Sequence, residues 1–211
     1  MFLPFKAISA LLCMLLSRIH SYRLVKPIKI YPLTRNFSRK PSLVSLFMAK
    51  FGFDKKVEID PGDVKGTTLK ILKYPHPLLR KENAMVEEFD EKLKQIAREM
   101  LLVMYSAEGI GLAAPQVGIN QRIMVFNESG DRERPEKEMV LVNPSLVSSS
   151  EKETDIEEEG CLSFPLINGK VERFKSIQVE YQDLNGEKKM IELKGYPARI
   201  FQHEYDHLNK V

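Results

Sequence analysis

Ile177-Gln-Val-Glu-Tyr-Gln-Asp-Leu-Asn-Gly-Glu-Lys-Lys-Met-Ile-Glu-Leu-Lys-Gly-Tyr-Pro-Ala-Arg-Ile-Phe-Gln-His-Glu-Tyr-Asp-His-Leu208 is the stretch on which the fold turns. In its first part Ile177, Val179 and Tyr181 alternate with polar residues, Asn185-Gly186 supplies a tight turn, and Ile191 and Leu193 resume the alternation. That is the pattern of two antiparallel strands joined as a hairpin. Gly195 ends it, and from about Pro197 the period changes: Ala198, Ile200, Phe201 and Leu208 recur at helical spacing behind a proline placed where a helix tolerates one. On this helix His203 and His207 stand four residues apart, so two imidazoles project from adjacent turns toward one point.

Working outward, Leu93, Ile96, Met100, Val103 and Ala107 recur at three- and four-residue steps within Glu87 to Ala107, while Glu91, Lys92, Lys94 and Arg98 occupy the other faces. The spacing predicts an amphipathic helix with Met100 and Met104 as core packing. Arg122 to Phe126 and Met139 to Val142 read as short strands separated by a charged loop, and Asn143-Pro144 is expected to end the second. Strands gathered between two helices without βαβ alternation indicate an α+β fold. Antiparallel strands and a hairpin are expected to pack around the C-terminal helix that bears His203 and His207, a candidate metal-binding helix, with one further amphipathic helix before a glycine-rich loop. Tyr74-Pro75-His76-Pro77 reads as an extended segment, and His76 is assigned no role.

The two histidines leave two readings open, a satisfied core pair and a metal site. Glu204, beside the first, favours the second, because a carboxylate there can take a proton from an attacking water. Two imidazoles do not complete a site, and Glu159-Gly-Cys-Leu-Ser163 is the best source of a third donor. Gly160 permits close approach of the chain, and a thiolate at Cys161 binds divalent cations strongly. The alternative for Cys161 is an inert buried thiol. The stretch Gly109-Ile-Gly-Leu-Ala-Ala-Pro-Gln116 lacks the Lys-Ser/Thr of a phosphate loop and the spacing of a dinucleotide fingerprint. Its small residues let a peptide backbone lie alongside, and Gln116 is able to hydrogen-bond a substrate oxygen; otherwise it is a turn packed in the core.

The chain has 211 residues, 43% hydrophobic and 29% charged, in keeping with one globular domain plus extensions. Its net charge of +3 averages two unlike segments. Residues 1–50 hold nine Lys+Arg and no acid, so the remaining 23 basic residues stand against all 29 acidic ones. The body is therefore mildly acidic and offers no basic, aromatic-interleaved surface for nucleic acid. Ala7 to Ser17 is an apolar run of eleven residues behind Lys6, and Arg18 to Lys50 is basic, acid-free and rich in hydroxyl side chains. Residues 1–60 are expected to be a signal-like then transit-like presequence with a linker. That expectation implies an organelle, first a plastid enclosed by extra membranes, such as an apicoplast, and second a mitochondrion, with no stable membrane insertion of the mature form. The catalytic domain is expected over residues 65–211. Cys13 falls in the presequence, which leaves Cys161 without an internal disulfide partner.

Taken together, Gly109-Ile-Gly-Leu-Ala-Ala-Pro-Gln116, Glu159-Gly-Cys-Leu-Ser163 and Gln202-His-Glu-Tyr-Asp-His-Leu208 resemble, in that order, the three motifs of peptide deformylase. The resemblance covers roughly Lys70 to Asn209, and Ser163-Phe164-Pro165 is similar to the plastid-type branch. It implies that Cys161, His203 and His207 bind one divalent ion, Fe2+ before Zn2+, and that Glu204 is the general base. The Gln116 side chain and the Leu162 backbone N–H would then stabilise the oxyanion. It further implies hydrolysis of the N-formyl group from nascent chains beginning with formylmethionine, with transient ribosome association. Gly109, Ile110, Gly111, Gly160, Tyr196 and Ile200 are expected to bind substrate, with the methionine side chain near Ile110, Gly111, Tyr196 and Ile200, and Asp206 is expected to pair with Arg173 behind the ligands. Where this chain has Lys210 and Val211, the family motif has a glycine and relatives continue. Two alternatives remain at this point: an HExxH zinc peptidase, and an inactive relative that binds formylated peptide or ribosome.

Overall fold

The computed structural model describes residues 62–150 and 153–211. The expected presequence lies outside the described residues. A five-stranded antiparallel sheet is built from β1 (Gly111–Ala113), β2 (Ile123–Asn127), β3 (Glu138–Ser149), β6 (Ser176–Gln182) and β7 (Lys188–Lys194), in the order β1-β2-β3-β6-β7. A separate two-stranded sheet joins β4 (Thr154–Cys161) to β5 (Phe164–Phe174). Helix α1 spans Glu91–Ser106 and helix α2 Tyr196–Leu208. This is the α+β arrangement expected.

The larger sheet is covered on both faces, and the strand period of two divides its side chains between them. Leu112, Ile123, Val125 and Val142 pack with Met100, Val103 and Met104 of α1. Ala113, Met124, Phe126 and Leu141 pack with Ala198, Ile200, Phe201 and Leu208 of α2. Burial on both faces explains why Ile123-Met-Val-Phe126 reads as a continuous apolar run. The hairpin β6–β7 forms as expected, with Ile177 opposite Leu193 and Val179 opposite Ile191.

Three local expectations need correction. Helix α1 starts at Glu91 rather than at Glu87, because Asp90 is extended and its carboxylate accepts from Leu93 N at 2.9 Å, capping the helix there. Strand β3 does not end at Asn143-Pro144. Asn143 takes a left-handed φ of 52°, the pairing shifts register there, and its side-chain amide bonds both Val86 N (2.8 Å) and Val86 O (2.9 Å), so the ladder resumes beyond it. The glycine-rich stretch is strand β1 followed by a 3-10 turn, Ala114–Val117, rather than a loop.

Candidate metal centre

Helix α2 crosses beneath β1, and the strand β4 ends beside it. His203 and His207, one turn apart, have ring centroids 5.2 Å apart with the rings nearly perpendicular. Cys161, the last residue of β4, brings its Sγ to 3.2 Å from His207 Nε2. One ligand atom from each of Cys161, His203 and His207 lies within 4.8 Å of the other two. The sequence placed these residues on one metal, and the fold brings them together across a separation of 42 residues.

The donors fit a divalent cation chemically, since a sulfur and two imidazole nitrogens suit Fe2+, Zn2+ and their neighbours. They are also braced for it. Glu159 Oε2 lies 3.0 Å from His203 Nδ1, which leaves Nε2 facing the cluster. Glu159 itself accepts from Arg173 Nη2 at 2.9 Å and Arg199 Nη1 at 2.8 Å, and Arg173 Nη1 reaches Asp206 Oδ2 at 2.5 Å. The Arg173–Asp206 pair was expected. Glu159 as the hub was not, although its two-residue spacing from Cys161 along a strand places both on one face.

These contacts set the charges of the metal-free site. Burial opposes a charge on Glu159, but the His203 and Arg173 hydrogen bonds outweigh it and hold the carboxyl at about 2. Burial likewise works against a proton on His203, yet its bonds to Cys161 and Glu159 raise it to about 11. Burial, with the charges of His203 and Arg173, lowers His207 to about 3.

Glu204, next to His203 on α2, lines the same cleft and is only 4% exposed. Burial raises its carboxyl to about 7. Its Oε2 is buried without a hydrogen-bond partner among the described residues. A buried orphan carboxylate oxygen is costly unless something else occupies its open side. A Cβ on Gly111 would collide with Glu204 Oε1 and with Ile200 Cγ2, so the glycine is what lets α2 bring Glu204 under β1.

Gln116, 1% exposed, is held by its own turn. Its Oε1 accepts from Ala113 N at 2.8 Å, which aims Nε2 toward Ser163 Oγ at 3.3 Å and Cys161 Sγ at 3.8 Å. Leu162 follows Cys161 in the turn between β4 and β5. All of this borders a cleft of about 480 Å3. Gly109, Ile110, Gly111, Gly160 and Ile200 line it together with Gln116, Leu162 and Glu204, and Tyr196, half exposed, stands at its mouth. Two strand edges face the cleft, since among the described residues β1 pairs only with β2 and β4 only with β5.

The profile of the family described as polypeptide deformylase matches residues 68–211. The chain belongs to the polypeptide deformylase family. Among its relatives, the chloroplastic peptide deformylase 1B of Solanum lycopersicum is 51% identical over 143 residues, 68% of this chain and 50% of that protein. The peptide deformylase of Thermotoga neapolitana is 47% identical, over 65% of this chain and 80% of that protein. A crystal structure of peptide deformylase from Plasmodium falciparum superposes with a TM-score of 0.65 at 48% identity, covering 67% of this chain and 82% of that one. The chain spans about half the length of the plant deformylases it matches. Deformylase membership and the Cys161/His203/His207 cluster together point to a bound metal ion. Among the described residues no helix is long and apolar enough to cross a membrane.

Proposed function

We propose that this chain is an organellar peptide deformylase, a metal-dependent hydrolase that removes the formyl group from the N-terminal formylmethionine of nascent proteins and releases formate. The observation that carries the reading is the orphan Oε2 of Glu204, buried beside the three clustered donors and opening on a cleft bounded by two unpaired strand edges. An extended peptide entering that cleft finds backbone partners on the edges of β1 and β4. Cys161, His203 and His207 would hold the ion, Fe2+ first and Zn2+ second. Bound there, a divalent cation supplies Lewis acidity, polarising the formyl oxygen and bringing the pKa of water toward ~7.

The remaining work belongs to the chain's own residues. Glu204 accepts the proton of the attacking water through its open oxygen and passes it to the departing peptide nitrogen. As the formyl carbon becomes tetrahedral, charge grows on its oxygen, where the Gln116 amide and the Leu162 N–H donate; one such donor is worth ~3 kcal/mol of barrier. The methionine side chain lies against Ile110, Gly111 and Ile200, with Tyr196 at the rim. Arg173 and Asp206 act behind the ligands, through Glu159.

The substrates are formylmethionyl nascent chains, met during transient association with the ribosome. The organelle is a plastid or apicoplast before a mitochondrion, a reading supported by the basic leader and by the chloroplastic names of the plant relatives. The test is formate release from formyl-Met-Ala-Ser by Fe2+-loaded protein, with Glu204→Ala as control. Formate from the wild type and not from the variant is expected. Cleavage of internal peptide bonds would overturn the reading in favour of a peptidase, and metal uptake without formate would leave only a binding module.

A further inference from the structure

The two histidines of the cluster are held by different means. His203 is oriented through its ring, by the Nδ1 contact to Glu159. His207 is the penultimate residue of α2, on the last turn, where the carbonyls of Tyr205, Asp206 and His207 are met by the backbone N–H groups of Asn209, Lys210 and Val211 and that of Leu208 has no such local partner. Leu208 O is met from far away in sequence. Asn83, 8% exposed, donates Nδ2 to Leu208 O at 2.9 Å and more weakly to His207 O at 3.4 Å. Arg122 Nη1 reaches Leu208 O at 3.4 Å and Asn209 Oδ1 at 3.1 Å, and its guanidinium lies over the Tyr205 ring. A cation at that end also complements the helix dipole.

Asn83 is itself held in place. Asn120 Nδ2 donates to Asn83 Oδ1 at 3.2 Å and to Leu78 O at 3.0 Å, which fixes the orientation of the Asn83 amide so that its NH2 faces the helix. The neighbouring backbone is tied to the same place, Ala84 N to Asn120 O at 3.0 Å and Arg122 N to Ala84 O at 2.9 Å. The resulting clamp connects the segment ahead of α1 and the entry to β2 with the end of the helix that carries His207.

We propose that Asn83, oriented by Asn120 and assisted by Arg122, is a positioning residue for the metal centre: it holds the last carbonyls of α2 and so keeps His207 in register with Cys161 and His203. The inference rests on the reading of Cys161, His203 and His207 as metal ligands. It adds a support at His207 to the Glu159–Arg173 brace at His203, and it assigns a role to residues outside all three sequence motifs.

The test is Co2+ titration of the metal-stripped full chain, followed by the d–d and thiolate-to-cobalt absorption bands, on wild type, Asn83→Ala and Asn120→Ala. Asn83→Ala is expected to weaken Co2+ binding about tenfold, as loss of an outer support to a metal ligand does, and to shift the d–d bands. Asn120→Ala, which leaves Asn83 in place and removes the bond that orients its amide together with the one to Leu78 O, is expected to do the same to a smaller degree and serves if the first variant does not fold. Met100→Ala, in the core under α1, is the control for mere loss of stability: it should melt earlier and leave the cobalt affinity and spectrum unchanged. Unchanged affinity and bands in a folded Asn83→Ala or Asn120→Ala protein would overturn the proposal. A wild type that takes up no Co2+ would overturn the ligand reading, and the proposal with it. Co2+ uptake without formate release would overturn only the deformylase activity.

Discussion

Arg173 on β5 joins β4 to α2 by holding two carboxylates at once, Glu159 at 2.9 Å and Asp206 at 2.5 Å, with 8% of its own side chain exposed. Removing this buried charge leaves Asp206 without its cation and Glu159 with only Arg199 and His203, and this costs more than the net value of the pairs. Arg173→Ala is therefore expected to destabilise the fold by about 3–5 kcal/mol. A urea-unfolding midpoint unchanged from wild type would contradict it.

Gly111 offers a second, sharper test because its substitution acts on one side chain. A Cβ at this position meets Glu204 Oε1 and Ile200 Cγ2 closer than real contacts allow, and both neighbours are buried. Glu204 must move. A misplacement of about 1 Å at the reacting centre costs on the order of 100-fold in rate. Gly111→Ala is expected to lose about that factor in kcat while still binding metal, which metal analysis and formate release together would check.

Metal removal should be felt in stability as well as activity. A ligand bound by the folded and not by the unfolded chain raises the unfolding midpoint by mass action. Stripping the protein with a chelator is expected to lower its melting temperature, and adding Zn2+ back to restore it. Cys161→Ala should melt at one temperature with or without Zn2+; a metal-dependent rise in that variant would place the binding elsewhere.

Tyr105 supplies a pH dependence remote from the ligands. Its hydroxyl donates to Glu138 Oε1 at 2.9 Å and accepts from Asn127 Nδ2 at 2.8 Å. Burial, then the hydrogen bond and charge of Glu138, raise its pKa above the ordinary 10.0 despite the opposing bond from Asn127. A raised pKa in the folded state means that the folded chain binds the proton more tightly. The contribution is complete below pH 10 and is lost as pH climbs through the folded value. Tyr105→Phe should cost about 1 kcal/mol at pH 7. The gap between the two proteins in urea unfolding should narrow between pH 9 and pH 11; a gap that widens would reverse the assignment.

Much of the architecture was legible one-dimensionally because its periods are local. The hairpin of Ile177 to Leu193 and the helix bearing His203 and His207 follow from side-chain spacing and from Gly195 and Pro197 between them. Core placement of Met100 and Met104 follows from the same arithmetic, and both are fully buried. The long hairpin β4–β5 was not legible, since Glu157-Glu158-Glu159 looks like a solvated charge run and its strand pairing is settled by partners on β5. Nor was the continuation of β3 past Asn143, where two hydrogen bonds to Val86, 57 residues away, support a left-handed backbone.

Which residue types could bind metal, accept a proton and face an oxyanion was determined by the sequence alone, because the donor chemistry of Cys161, His203, His207, Glu204 and Gln116 is intrinsic to their side chains. Their convergence, the buried isolation of Glu204 Oε2, Glu159 as the hub of Arg173, Arg199 and His203, and the hold of Asn83 on the end of α2 were decided only by tertiary structure. These depend on burial and on distances between segments far apart in the chain, quantities with no local signature because neither spacing nor composition records what lies across the core.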